Sequence, residues 1–210
     1  MKFTTVPVTA FQQNCSIAWC DQTGIGAVID PGGDLDTVTA AADRQGVQLT
    51  KILITHPHID HAGAAATLSE QRTLPIEGPH RDDAFWINLL PQQGQMFNQP
   101  PGRVFTPQRW LQDGDTVTFG QVVLNVYHCP GHTPGHVVFY HQPSKVAFVG
   151  DVLFRGAIGR TDFPRGDLDA LLHSIRTKLW PLGDDVTFVP GHGPNSTFGE
   201  ERRNNPFVAD

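Results

Sequence analysis

With 210 residues, 39% hydrophobic and 17% charged, the chain is long enough to bury one sizeable core, so a single domain over residues 1–210 is expected. A formal charge of −6, with Lys and Arg scattered, argues against nucleic acid as a partner, and no segment has the apolar length to span a membrane. Cys15, Cys20 and Cys129 cannot all pair within one chain and lack zinc-ribbon spacing, which points to buried thiols in a reducing, cytoplasmic setting.

Strand-forming residues come first, from Phe3 to Val8 and from Ser16 to Trp19. A buried strand, Gly26 to Ile29, then closes on the turn signal Asp30-Pro31-Gly32-Gly33. Leu35 to Gln45 predicts the first helix, with Leu35, Val38, Ala41 and Ala42 on one stripe and Gly46 after it. The apolar run Lys51 to Ile54 leads into Thr55-His56-Pro57-His58-Ile59-Asp60-His61. A small-residue run from Ala62 leads out as a second helix ending at Arg72, with Asp60 placed to cap it. Ile76 reads as a short strand, and Asp82 to Leu90 as a helix bearing Phe85, Trp86, Ile87 and Leu90. Pro91 to Pro107, rich in Pro, Gln and Gly without a regular period, predicts a loop of lid-like composition.

A second β-rich half begins near Leu111. Val117, Phe119, Val122, Leu124 and Val126 predict strands about a turn at Gly120, followed by strands at Val137 to Tyr140 and Val146 to Val149. A helix from Asp167 carries Leu168, Leu171, Leu172, Ile175 and Leu179 on one face, and Val186 to Val189 forms the last strand. Both halves run from strands into strand–helix units, so two sheets should pack face to face with helices outside.

In extended chain, residues two apart share a side, so His56 and His58 can grip one cation while Asp60 and His61 aim at a neighbouring point. Three later strand ends repeat the design, with His132 in a Gly- and Pro-flanked turn, Asp151 after Phe148 to Gly150, and His192 after Val189-Pro190-Gly191. Seven ligands exceed the four of a closed structural zinc, so two divalent metal ions per chain are expected. Imidazole and carboxylate without thiolate suit zinc first, with iron and manganese also fitting. Asp151, the late ligand with two anionic oxygens, is read as the bridge between ions ~3.5–4 Å apart. His136 and His128 flank a ligand turn and are candidates to support it, His136 before His128. His80, His141 and His173 read as surface residues and Cys129 as a small core residue, while Asp30 suits either loop support or a turn.

The set Thr55 to His61, His132, Asp151 and His192 resembles the metallo-β-lactamase superfamily. Asn14-Cys15, Asp30-Pro31-Gly32 and the stretch from Gly150-Asp151 to Gly159-Arg160 resemble its glyoxalase II-like branch. The resemblance implies an αββα sandwich, with His56, His58 and His132 on one metal, Asp60, His61 and His192 on the other, and Asp151 shared. It implies Asp60 and Asp151 as catalytic residues, Arg160 as a substrate contact, and a small thioester such as S-2-hydroxyacylglutathione (S-lactoylglutathione) as partner. Two cations lower the pKa of a shared water toward ~7. A thiol with a pKa of about 8.5 leaves with little protonation, which suits thioesters over amides. Larger glyoxalase II enzymes add a C-terminal helical extension that supplies basic residues to glutathione, and carry a tyrosine where Asp162 stands here, so weak dependence on the glutathione part is expected. Two rivals share the motif. One is an iron-dependent glutathione persulfide dioxygenase using His56, His132 and Asp151 as a two-His, one-carboxylate triad. The other is a metal-binding module without catalysis.

Overall fold

A computed structural model describes residues 1–209. The chain begins as an antiparallel pair, β1 (Lys2–Val8) and β2 (Gln13–Trp19), and continues into β3 (Ile25–Ile29). Helix α1 (Leu35–Arg44) returns the chain to β4 (Gln48–Leu53), which lies parallel to β3. Val38, Ala41 and Ala42 form the buried stripe of α1, and their small size lets the helix lie close on the sheet. Two short helices, α2 (Ile59–Ala62) and α3 (Ala65–Arg72), precede the edge strand β5 (Ile76–Glu77). A 3₁₀ turn at Arg81–Asp83, α4 (Ala84–Asn88) and α5 (Leu90–Met96) come next.

The second half contains β6 (Thr116–Phe119), β7 (Val122–His128), β8 (Val137–His141) and β9 (Val146–Gly150), then the small hairpin β10 (Leu153–Phe154) and β11 (Ala157–Ile158). Helix α6 (Leu168–Ser174) widens into a π-helical turn at Ile175–Leu179 before β12 (Thr187–Pro190), β13 (Ser196–Thr197) and α7 (Phe198–Asn204). One sheet has the order β1-β2-β3-β4-β5 and the other β13-β12-β9-β8-β7-β6. Ala27, Ile29 and Leu53 of the first sheet face Phe119, Phe139 and Phe148 of the second across a shared core. The outer faces are covered by α1 and α3 on one side and by α6 and α7 on the other. The result is a four-layer αββα sandwich of the α+β class. Phe139 is fully buried between the sheets, where truncation to Ala would cost about 3–5 kcal/mol.

Several sequence expectations are corrected. The single helix expected from Ala62 is two helices, and the first begins at Ile59, so Asp60 lies inside the first turn and caps nothing. Pro91 occupies the first turn of α5, where its missing N–H has no partner to lose, and so Pro91–Pro107 is irregular only from Phe97 onward. The expected helix from Asp82 to Leu90 is broken between a 3₁₀ turn and α4. Asp167 does cap α6, accepting from Ala170 N at 2.9 Å, but Leu168 is half exposed and lies off the buried face. His141 is buried, with Nδ1 2.6 Å from Ser144 Oγ, and is no surface residue. Among the described residues, no helix is long and apolar enough to cross a membrane.

Candidate metal centre

Strand β4 ends shortly before the histidine motif, and Asp30, directly after β3, anchors the start of that motif. Its Oδ1 accepts from Thr55 N at 2.7 Å and its Oδ2 from Thr55 Oγ1 at 2.6 Å. Thr55 Oγ1, having donated there, accepts from His56 Nδ1 at 3.1 Å and so leaves His56 Nε2 as a free lone pair. His132 is set in the same way, for its Nδ1 donates to Arg160 O at 2.7 Å. Both Nε2 atoms then converge on His58 Nδ1, at 3.1 Å from His56 and 2.9 Å from His132. Burial holds all three rings below the ordinary imidazole value, so they are neutral donors at neutral pH.

The second cluster is built by the same device. His61 Nδ1 donates to Asp30 Oδ2 at 3.0 Å and His192 Nδ1 to Phe11 O at 3.2 Å, which turns both Nε2 atoms inward. Asp60 Oδ2 meets them at 3.7 Å from His61 and 3.1 Å from His192. Between the clusters stands Asp151, with Oδ1 3.3 Å from His61 Nε2 and Oδ2 3.6 Å from His132 Nε2 and 3.7 Å from His192 Nε2. Burial opposes ionisation of Asp151, yet the field of His61 and His132 holds its carboxyl below the usual range. His61 moves the opposite way, since Asp151 and Asp60 outweigh its burial and raise it well above an ordinary imidazole.

These residues fit divalent cations. A tetrahedral ion with Zn–N of about 2.0–2.1 Å spaces its nitrogens by about 3.3 Å, close to the separations within the first cluster. His61 Nε2 and Asp151 Oδ1 are buried and 3.3 Å apart without the alignment of a hydrogen bond, so each lacks a partner that a cation supplies. A side chain at Gly191 would run into Asp151 Oδ1 and His61, so the strand end can pass this close only as glycine. The ligand atoms of His56, His58 and His132 lie within 4.8 Å of one another, as do those of Asp60, His61 and His192.

Supporting residues surround the clusters. His136, read from the sequence as a support, accepts from Asp151 N at 3.1 Å and stacks on His56 at 4.6 Å. His128 donates from Nε2 to Pro134 O at 2.8 Å and steadies the same turn. Asp30 is the loop support rather than a plain turn residue. Sequence reasoning missed Asp83 and Gln93. Asp83 is buried and accepts from Thr133 Oγ1 and Gly135 N, both at 2.6 Å, clamping the turn that carries His132. Gln93 of α5 accepts from Ile59 N at 3.0 Å and donates to Pro57 O at 3.3 Å, clamping the histidine motif. Neither had a local signal, because these partners are far away in sequence.

A cavity of about 710 Å³ opens beside both clusters, with Trp86, Phe97, Phe154 and Phe163 among its walls. Arg160 stands on its rim, where it forms a forked pair with Asp162 at 2.9 and 2.7 Å and lies over the Phe163 ring.

Sandwich and paired His/Asp clusters define a class, and the sequence model of that class, the metallo-beta-lactamase superfamily, matches residues 8–192: the chain belongs to this superfamily of metallo-hydrolases. Among its relatives is the hydroxyacylglutathione hydrolase GloC of Haemophilus influenzae, 46% identical over 99% of this chain and 98% of the relative. The crystal structure of BLEG-1 B3 metallo-beta-lactamase is similar with a TM-score of 0.91 and 33% identity, covering 100% of both chains. That of TTHA1623 in a di-iron-bound form is similar with a TM-score of 0.89 and 35% identity, covering 98% of this chain and 100% of that one.

Proposed function

We propose that this protein is a dinuclear metal-dependent thioester hydrolase acting on S-2-hydroxyacylglutathione-type substrates. The observation that carries the reading is the placement of Asp151 between the clusters, with Oδ1 toward His61 and Oδ2 toward both His132 and His192. His56, His58 and His132 would hold one cation, Asp60, His61 and His192 the other, and Asp151 both, with zinc the first choice for an imidazole and carboxylate set. When bound, such a pair activates water at neutral pH and stabilises the oxyanion formed as a carbonyl is attacked. The similarity to GloC supports a thioester substrate.

The chain's own groups do the rest. Burial opposes ionisation of Asp60, but His61 and His192 keep its carboxyl low, so with the metals bound it would be an anionic acceptor able to orient a water. No Lys, Tyr, Cys or Glu is among the described residues lining the cavity, and its histidines are all cluster members. No proton donor is therefore at hand for an amine leaving group, whereas a thiol of pKa about 8.5 departs as thiolate.

The dioxygenase reading would use His56, His132 and Asp151 only. The second cluster, with both imidazoles held inward by protein hydrogen bonds, favours the hydrolase. The test presents metal-loaded protein with S-lactoylglutathione and, separately, with glutathione persulfide, measuring thiol release and oxygen uptake. Thiol release without oxygen uptake is the expected result. Oxygen uptake without thioester cleavage would replace this reading with the dioxygenase, and neither activity would leave a binding module.

A further inference from the structure

The cavity is unequal on its two flanks. On the side of the first cluster, Trp86 meets His58 edge-on at 4.8 Å, and Phe163 lies 4.8 Å from His58 and 5.7 Å from His132. The two aromatic rings pack edge to face against each other at 6.2 Å, so together they present one continuous apolar wall against which a flat or branched group can lie. Met96 and Phe97, 76% and 39% exposed, stand at the mouth, where Phe97 packs edge-on against Phe11 beside the second cluster. Isolated apolar side chains on a surface need no explanation, but these rim the cavity that opens beside both clusters.

On the side of the second cluster, Phe154 faces His192 at 6.2 Å, and the next residue, Arg155, stands at the tip of the β10–β11 hairpin. Two arginines line the cavity. Arg160 is taken by Asp162, whereas Arg155, among the described residues, has no hydrogen bond, ion pair or ring contact. One free guanidinium fits one carboxylate, bidentately. S-Lactoylglutathione matches this poorly, having only a three-carbon acyl group to set against aromatic walls.

We infer that the site is shaped for thioesters with an aromatic or branched apolar group on one arm and a carboxylate on the other, Trp86 and Phe163 packing the first and Arg155 holding the second. This rests on the thioester-hydrolase reading, in which water adds across the C–S bond to give an acid and a thiol. The apolar group can be carried by the acyl arm or the thiol arm, and suitable probes separate the two.

The experiment compares three thioesters on the metal-loaded protein: S-lactoylglutathione, S-mandeloylglutathione, and the mono-S-benzyl thioester of succinate. At least one of the latter two should exceed S-lactoylglutathione about tenfold or more in kcat/KM, the gain typical of filling an apolar pocket, and which one does so identifies the apolar arm. Arg155→Gln should raise KM for the preferred substrate about tenfold with kcat within about twofold, and Arg155→Lys should recover part of the loss. A readout independent of turnover is quenching of tryptophan fluorescence by two thioethers, where S-benzylglutathione should bind about tenfold more tightly than S-methylglutathione. Preference for S-lactoylglutathione, or equal binding of the two thioethers, would overturn the inference while leaving thioester hydrolysis intact. No hydrolysis of any of the three would overturn both together.

Discussion

Asp151 has one oxygen toward His61 and the other toward His132 and His192, and its backbone N–H is received by His136. Asn at this position keeps the shape and removes the anion between the two clusters. Asp151→Asn should therefore lose metal from both clusters and fall in activity by more than the ~100-fold that bounds the loss of an outer support. His136→Ala, which removes only the acceptor for Asp151 N and the stack on His56, should fall by about 10–100-fold. Equal losses in the two variants, measured with metal content alongside, would contradict the assignment. A second residue carries a pH signature. Burial pushes the Asp83 carboxyl up to about 7. The folded chain then keeps this proton to higher pH than the unfolded chain, whose carboxyl titrates near ~3.9. Stability from this group is full below about pH 4 and is lost as pH rises through about 7. Asp83→Asn stays neutral, accepts from Gly135 N through Oδ1 and can donate to Thr133. Its stability relative to the parent should improve by on the order of 2–4 kcal/mol between about pH 4 and 8 in denaturant titrations. A difference that does not vary with pH would remove the buried-proton account.

At the scale of elements, the centre exists because β4, β9 and β12 end at the same edge of the sandwich. Strand β12 runs parallel to β9, and the register shifts between Val189 and Pro190 so that Pro190 stands opposite Gly150. That irregularity brings Gly191 against Asp151 and His61, with its carbonyl receiving Asn14 N at 2.7 Å. Gly191→Ala should leave far-UV circular dichroism unchanged and reduce bound metal to about one ion per chain, because the added methyl runs into His61 and the Asp151 oxygen that faces it, on the side of the second cluster. Retention of two ions would show that the strand end can give way. The seven candidate ligands stood out in the sequence because they cluster in short polar stretches that follow apolar strands, a pattern needing no partner to be recognised. Asp83 and Gln93 were not, since a buried acceptor is defined by a donor that only the fold brings near. The short helices α4 and α5 were also obscured. They are held by the Gln93 side chain, which links Trp86, Pro57 and Ile59, rather than by a repeating apolar stripe.

Across the whole molecule, the two sheets meet over a shared core, and each cluster draws residues from both halves: His56 and His58 with His132, and Asp60 and His61 with His192. The αββα layering was legible because both halves repeat strands followed by strand–helix units. The cavity was not, since its walls come from α4, α5, the β10–β11 hairpin and the segment around Phe163. Cations held by both halves would bind the folded chain in preference to the unfolded one, so at about 100 times Kd each would add about 2.7 kcal/mol. Chelation should then lower Tm by about 5–10 °C per ion lost, read by calorimetry, and an unchanged Tm would place the metals outside the load shared by the halves.

The central claim is that two ions, one per cluster with Asp151 between them, make the working site. It is tested most directly by adding zinc stepwise to metal-free protein and following thiol release from S-lactoylglutathione. Activity should rise to a plateau at two equivalents per chain. A plateau reached at one equivalent, with no further gain from a second, would contradict it.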